Sequence, residues 1–355
     1  MGVQISKRDY SLVGLDTDLA EERGLANAEW YACKIPRQRL KELMQRRDGP
    51  AIRDTVIWFA LLIISGVLGY RFWGTWWALP CFAVYGVIYG SSSDSRWHEA
   101  GHRTAFKSTW MNDVLYEIAS FMVCRESVTW RWTHTRHHTD TLIVGRDPEI
   151  AVPRPPNLRS FAMAFFGLVQ APKEYGEILR HCLGRLTAEE QTYIPDGERH
   201  KVYRNARIYV LIYAAVIASA IACRTMLPLM YIGLPTFYGS WLYVLFGYTQ
   251  HAGLAEDVLD HRLNCRTVYM NPISRYLYWE MNYHIEHHMF PMVPYHALGK
   301  LHQELKADMP KPYNSLWEAY QEIIPAVWRQ AKDPTYFVRR ELPGTAAPAS
   351  ALEPA

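Results

Sequence analysis

The sequence runs to 355 residues, enough for one large domain or two small ones, and 49% of it is hydrophobic and 14% aromatic. A formal net charge of +3 is too small to indicate a nucleic-acid partner, and no block of Lys and Arg interleaved with aromatics suggests a groove for one. The six cysteines, at 33, 81, 124, 182, 223 and 265, are scattered without a C-x-x-C, which argues against a disulfide frame, a zinc ribbon or an iron–sulfur cluster and fits a reduced compartment.

Residues 1–53 read as a polar, cytosolic lead-in, helical near Leu40 to Arg47. It opens with Met1-Gly2-Val3-Gln4-Ile5-Ser6, which fits a myristoylation pattern. That match is read as chance, because a protein with several spans gains little from one acyl chain. No charged-then-apolar signal peptide follows.

The mean hydropathy of -0.17 averages two unlike kinds of sequence. Thr55 to Tyr70, Phe72 to Ser93, Ile208 to Cys223 and Thr225 to Thr249 are uncharged and mainly apolar. A bilayer-spanning helix needs about 20 such residues. The runs therefore predict spans at about 55–71, 74–93, 207–223 and 226–248, paired into two hairpins that break at Arg71 and Arg224. Buried helices of a large soluble protein are the alternative, but four long runs with Trp and Tyr at their ends are hard to bury otherwise. Lys41, Arg46, Arg47 and Arg53 precede the first run, Arg96, Arg103 and Lys107 follow the second, and Lys201, Arg204 and Arg207 precede the third. The positive-inside rule then places both termini and the long middle segment in the cytosol. The expected fold is an all-α, multi-pass integral membrane protein, in a bacterial inner membrane, whose four transmembrane helices carry a cytosolic helical cap. Residues 54–305 form that membrane domain with its cap, 306–342 are cytosolic C-terminal helices, and 343–355 read as a disordered tail. Between the hairpins, Pro153-Arg154-Pro155-Pro156 marks a loop, and Phe161 to Val169 is apolar but too short to span, as for a segment lying on the membrane surface.

The chain has 14 histidines, distributed unevenly. His98-Glu99-Ala100-Gly101-His102 fits the H-E-x-x-H pattern of a zinc metalloprotease, with Glu99 as its base. His134, His137 and His138 form H-x-x-H-H, and His284, His287 and His288 form a second one. On a helix, positions i, i+3 and i+4 share a face, so each cluster can aim its imidazoles at one point. Eight clustered histidines exceed the four ligands of a tetrahedral zinc site, and thiolates are absent from all three clusters. A pair of metals fits the count better, and iron is the one that would put such a site to oxidative use.

HEAGH, HTRHH and HIEHH, separated by two hydrophobic hairpins, resemble the three histidine boxes of the membrane fatty-acid desaturase and hydroxylase superfamily over roughly residues 55–305. The resemblance implies two iron ions held by nine histidines: His98, His102, His134, His137, His138, His251, His284, His287 and His288. His251 takes the place of a lone histidine that follows the fourth span; His261, nearby, is the less favoured choice. Asp140, and with less weight Glu99, Asp147 and Glu286, are candidates to accept a hydrogen bond from a ligand's other ring nitrogen. Trp97, Trp130 and Trp132 are candidates to wall a substrate channel, with interfacial anchoring as the alternative. His181, His200, His296 and His302 read as surface residues.

Two departures separate this chain from acyl-CoA desaturases. Its first box has three residues between the histidines where they have four, and Gly247 stands where they often have Asn. The shorter box is similar to those of acyl-lipid desaturases, fatty-acid hydroxylases and alkane hydroxylases, and "EMNYHIEHHMFPMVPYHAL" is similar to bacterial rhizopine-type oxygenases. The expected activity is O2-dependent attack on an unactivated C–H bond of a fatty-acyl, lipid or hydrocarbon-like substrate, by desaturation or hydroxylation. The alternative is a monooxygenase of a small non-lipid substrate. The chain has no flavin, dinucleotide or fused cytochrome-b5 signature, so the electrons are expected from a separate ferredoxin, of Rieske type or another, with its reductase, or from a cytochrome b5-like donor. Basic residues around 131–146 and 325–340 are candidate contacts for it. An intramembrane zinc protease would leave HTRHH, HIEHH and His251 unexplained, and a metal transporter would place its ligands nearer the bilayer midplane.

Overall fold

The computed structural model describes residues 8–343; Met1 to Ser6 and residues 344–355 of the tail lie outside them. Apart from two isolated β-bridges, Thr267 to Tyr283 and Val268 to Tyr313, the regular structure among the described residues is helical.

The first apolar run forms the Asp48–Arg71 helix of 24 residues, about 36 Å at 1.5 Å per residue. Asp48 in its first turn and Arg71 in its last complement the helix dipole. One narrow stripe faces the protein: Ala51, Asp54, Trp58, Ser65, Gly66 and Gly69. The small residues admit close neighbours, since a Cβ at Gly69 would lie 3.0 Å from the Phe82 ring. The rest of the helix is outward and greasy, with Val56, Ile63, Ile64 and Val67 all more than half exposed. The third run forms the Arg199–Ala222 helix, where Leu211 and Ile221 are likewise exposed. The segments 37–71 and 196–222 are long and apolar enough to cross a membrane by length and composition. Such broad exposure of apolar side chains is unusual for a core helix and fits lipid contact.

The other two runs are helical but interrupted. The second runs from the Ala78–Gly86 helix through a π turn at Val87–Ser91 into the Ser92–Gly101 helix. The fourth, expected as one span over 226–248, is broken into Leu227–Tyr231, Pro235–Tyr238 and Trp241–His251. Gly233, at φ 99°, and Pro235, which has no amide hydrogen to donate, stop the helix there. These two runs meet backbone to backbone: a Cβ on Gly239 would lie 2.0 Å from the Gly86 carbonyl oxygen, and one on Gly90 would lie 2.7 Å from that of Pro235. Ser91 Oγ closes the contact by donating to the Gly239 carbonyl at 2.6 Å.

The principal core packs Trp58 from the Asp48–Arg71 helix and Phe82 and Tyr85 from the Ala78–Gly86 helix against Trp97, Tyr116, Trp279 and Leu298 around the histidine-bearing elements. The N-terminal lead-in, polar in its composition, packs on this core through the buried Cys33 and Leu43. Leu25 joins Ala20 and Ile143 in a smaller cluster. The Leu158–Ala164 helix enters the short apolar stretch, in which Ala164 is buried and Phe166 and Leu168 are exposed.

Candidate metal centre

Four helical elements carry the boxed histidines and the lone one. His98 lies in the last turn of the Ser92–Gly101 helix and His102 caps it. His134, His137 and His138 lie in the Ser127–Thr139 helix, whose start is fixed by the Glu126 carboxylate accepting the Val128 and Thr129 amides at 3.0 and 2.7 Å. His251 ends the Trp241–His251 helix. The short His284–Met289 helix carries the rest, entered through a tight turn at Trp279 and Glu280, both in the left-handed region.

These elements bring all nine nominated histidines together. One ring nitrogen from each of His98, His102, His134, His138 and His287 lies within 4.8 Å of the others, and His137, His251 and His288 form a second such group. His284 joins the second: its Nε2 lies 3.0 Å from Nε2 of both His251 and His288. The groups adjoin, with the His138 and His288 rings stacked at 4.3 Å. Each H-x-x-H-H motif divides its rings between the groups, so the i+3 spacing in each box bridges them.

The outer ring nitrogens show which way the rings face. His137 Nδ1 lies 2.8 Å from the Asp147 carboxylate and His134 Nδ1 3.0 Å from that of Glu149. His251 Nδ1 donates to the Asn264 carbonyl at 2.8 Å. Thr141 Oγ1 donates to the His137 carbonyl and so accepts from His288 Nδ1 at 3.1 Å. With Nδ1 protonated in all four, each Nε2 presents a lone pair inward. His134 Nε2 approaches that of His102 to 3.1 Å and that of His138 to 3.2 Å. Ring nitrogens converging this closely match the needs of a cation, and an all-imidazole set backed by carboxylates suits a first-row transition metal such as iron. Burial, reinforced by the neighbouring rings, pushes His98, His102, His138, His251, His284, His287 and His288 well below the usual imidazole range, which keeps them in the neutral, ligating form. His137 differs: burial opposes its charge, but Asp147 holds it above the usual value. Burial likewise works against a charged Glu149, but His134 outweighs it and brings the carboxyl down to about 2.

Of the four acids nominated as supports, only Asp147 reaches a ring of the cluster. Asp140 is drawn instead to Arg136 and Arg146, at 2.5 and 3.4 Å, because two guanidinium groups attract a carboxylate more than a neutral imidazole does. Glu286 is fully buried but accepts from His302 Nδ1 and Thr267 Oγ1, so it orients a tenth ring outside the nine. Glu99 accepts the Tyr295 amide at 3.0 Å, and burial pushes its carboxyl up to about 7. His302 and His181, read as surface residues, are both fully buried, each beside a glutamate. Glu149, Thr141 and the Asn264 carbonyl were not among the expected supports. Glu149 had a faint signal, an acid two residues beyond Asp147, and a backbone carbonyl has none.

A cavity of about 310 Å³ opens onto His98, His134, His137, His251 and His284. Trp97, Trp130 and Tyr243 line it, and Trp132 does not. Its wall also carries charge. Arg125 pairs with Asp94 at 2.6 Å and lies over the Trp97 and Trp130 rings at 4.3 and 4.5 Å, while Glu174, 6% exposed, stands in the same wall. Gly247, one turn before His251, faces the cavity, and a Cβ there would meet open space.

The fold and site together define a helical protein with apolar outer helices and a buried polyhistidine centre that opens to a cavity. The chain belongs to the fatty acid desaturase family, whose model, described as "Fatty acid desaturase", matches residues 74–320. It is 22% identical over 290 residues to the acyl-lipid (9+3)-(E)-desaturase of Dimorphotheca sinuata, covering 73% of this chain and 74% of that protein. It is 20% identical over 278 residues to the sn-1 oleoyl-lipid 12-desaturase of Anabaena variabilis, covering 76% and 69%. A shorter match, 29% identical over 92 residues, covers 26% of this chain and 22% of the Delta(12)-acyl-lipid-desaturase of Punica granatum.

Proposed function

We propose that the chain is a membrane di-iron oxidase that desaturates or hydroxylates the acyl chain of a lipid, drawing electrons from a separate ferredoxin or cytochrome b5-like protein. The observation that carries this reading is the convergence of nine imidazoles, six of them buried and three partly so, in two adjoining groups within a desaturase-family chain. His98, His102, His134, His138 and His287 would hold one ion, and His137, His251, His284 and His288 the other. The bound iron would supply dioxygen reduction and the power to break an unactivated C–H bond. The protein's part is placement: Asp147, Glu149, Thr141 and the Asn264 carbonyl orient the rings, and the buried site keeps bulk water out. The cavity beside Trp97 and Tyr243 receives the reacting carbons.

The topology proposed with this reading has four passes in two hairpins. The interrupted second and fourth runs pair with the two long helices, and the histidine cap and both termini lie in the cytosol. The apolar surfaces of the Asp48–Arg71 and Arg199–Ala222 helices support a membrane setting.

The charged cavity wall supports a second reading, oxidation of a small non-lipid substrate. The Asp94–Arg125 ion pair and the buried Glu174 carboxyl give the cavity wall polar groups that a hydrocarbon tail would not engage. Metal analysis and product analysis test both readings. About two irons per chain are expected, and a single zinc would instead indicate a protease. Mass spectrometry after expression with an electron donor reads loss of two hydrogens as desaturation and gain of one oxygen as hydroxylation. Turnover of a small polar compound without change in membrane lipids would favour the second reading.

A further inference from the structure

One imidazole outside the nine is buried against the cluster. His261 is 3% exposed, and its ring lies 5.2 Å from that of His288. It also lies flat against the indole of Trp30, with centroids 4.3 Å apart and planes 4° from parallel. Trp30 is half-buried, so this stack runs from the protein surface to a ring of the metal centre.

The stack is held in place deliberately by residues far apart in sequence. Trp30 Nε1 donates to the Thr139 carbonyl at 3.1 Å, just beyond the second histidine box. The next amide, of Tyr31, donates to the Leu259 carbonyl at 2.9 Å, two residues before His261. Arg262 covers the Tyr31 ring at 3.6 Å, and Asp308 accepts from both side chains. His261 Nδ1 also lies 3.9 Å from Cys265 Sγ, and one ligand atom from each of His261, Cys265 and His288 lies within 4.8 Å of the others.

The proposed oxidase needs two external electrons for each dioxygen consumed, and the nine rings are buried or partly buried. Electrons tunnel more efficiently through π systems in contact than across a gap or through saturated side chains. We propose that Trp30 and His261 form the path by which electrons from a one-electron carrier protein enter the metal pair. In each event one electron leaves the carrier and one ferric ion of the pair becomes ferrous. Two events supply one turnover, and no proton need move at Trp30 or His261. This inference rests on the metal reading above.

Glu29, exposed beside Trp30, provides an attachment point for a test. A ruthenium polypyridyl photoreductant is coupled to Glu29→Cys in the full-length, iron-loaded protein, and each flash injects one electron. Loss of ferric absorption reports its arrival, and protein labelled only at native cysteines supplies the background. Trp30→Leu and His261→Leu should each slow that decay severalfold with iron content unchanged, while Trp30→Phe, which keeps a π system, retains most of the rate. An unchanged rate in Trp30→Leu, or no flash-driven reduction in the labelled parent, overturns the path. If Trp30→Leu loses its iron, His261→Leu carries the test. A parent protein that binds no iron defeats the metal reading instead, and the iron assay separates that outcome from failure of the path.

Discussion

The Asp147 carboxylate oxygen that meets His137 Nδ1 at 2.8 Å also accepts the Leu142 amide at 2.8 Å. One buried carboxylate thus fixes both a ring and the turn that follows its helix. Asp147→Asn keeps the shape but weakens acceptance and removes the charge that raises ligand basicity. It is expected to lower iron affinity by about 10- to 100-fold, as read by chelator competition. Unchanged iron retention would mean that Asp147 only shapes the turn.

His251 and His261 lie ten residues apart and both are near His288, but only His251 closes a group with His137. His251→Ala should therefore deplete iron, whereas His261→Ala should retain it. Metal content of the two purified variants decides, and the reverse pattern would reassign the ninth ligand.

Gly247 offers a way to alter the cavity without disturbing the packing. Because a Cβ there meets open space, Gly247→Ala should stabilise the helix by up to about 1 kcal/mol through propensity alone. Gly247→Leu projects into the cavity beside His251 and is expected to raise KM or shift product position while leaving iron content unchanged. Product profiles with wild-type selectivity would show that substrate does not pass this point.

Glu190 sets an acid limit on stability away from the metal centre. Burial pushes its carboxyl up, but His181, the Thr187 amide and Arg180 outweigh it and bring it down to about 2. A carboxyl depressed below its unfolded value of about 4.3 stabilises the fold fully above that pH and loses the contribution as pH falls toward 2. Glu190→Gln should lower the thermal midpoint in detergent at pH 7, by an amount corresponding to about 1–3 kcal/mol, and flatten its decline between about pH 4.5 and 2. Parallel acid profiles for the two proteins would contradict this.

The boxed histidines were legible because their chemistry depends on spacing within one helix, and i, i+3 and i+4 are visible in a line of letters. His251 was legible only through family resemblance, since nothing local distinguishes it from His261. The supports were mostly hidden. Asp140 sits closer in sequence to the box than Glu149, but Arg136 and Arg146 claim it, and the Asn264 carbonyl is a backbone atom any residue supplies. The apolar runs were legible by composition. The break in the fourth at Gly233 and Pro235 could have been read from those two residues, but an uninterrupted hydropathy outweighed them. Burial of the lead-in through Cys33 and Leu43 depends on long-range packing, which a polar average conceals.

The meeting of Gly86 and Gly90 with the Pro235–Gly239 backbone has a further consequence. His98 lies eight residues beyond Gly90, and His251 twelve beyond Gly239, so each stands at the end of a helical arm about 12–18 Å long. The crossing is the fulcrum of both arms, and a methyl group on Gly90 or Gly239 would meet backbone atoms, which cannot repack as a side chain can. A single methyl group there would tilt one arm against the other and be magnified at its tip. The spacing between the two histidine groups is therefore governed from a point that contains no histidine at all.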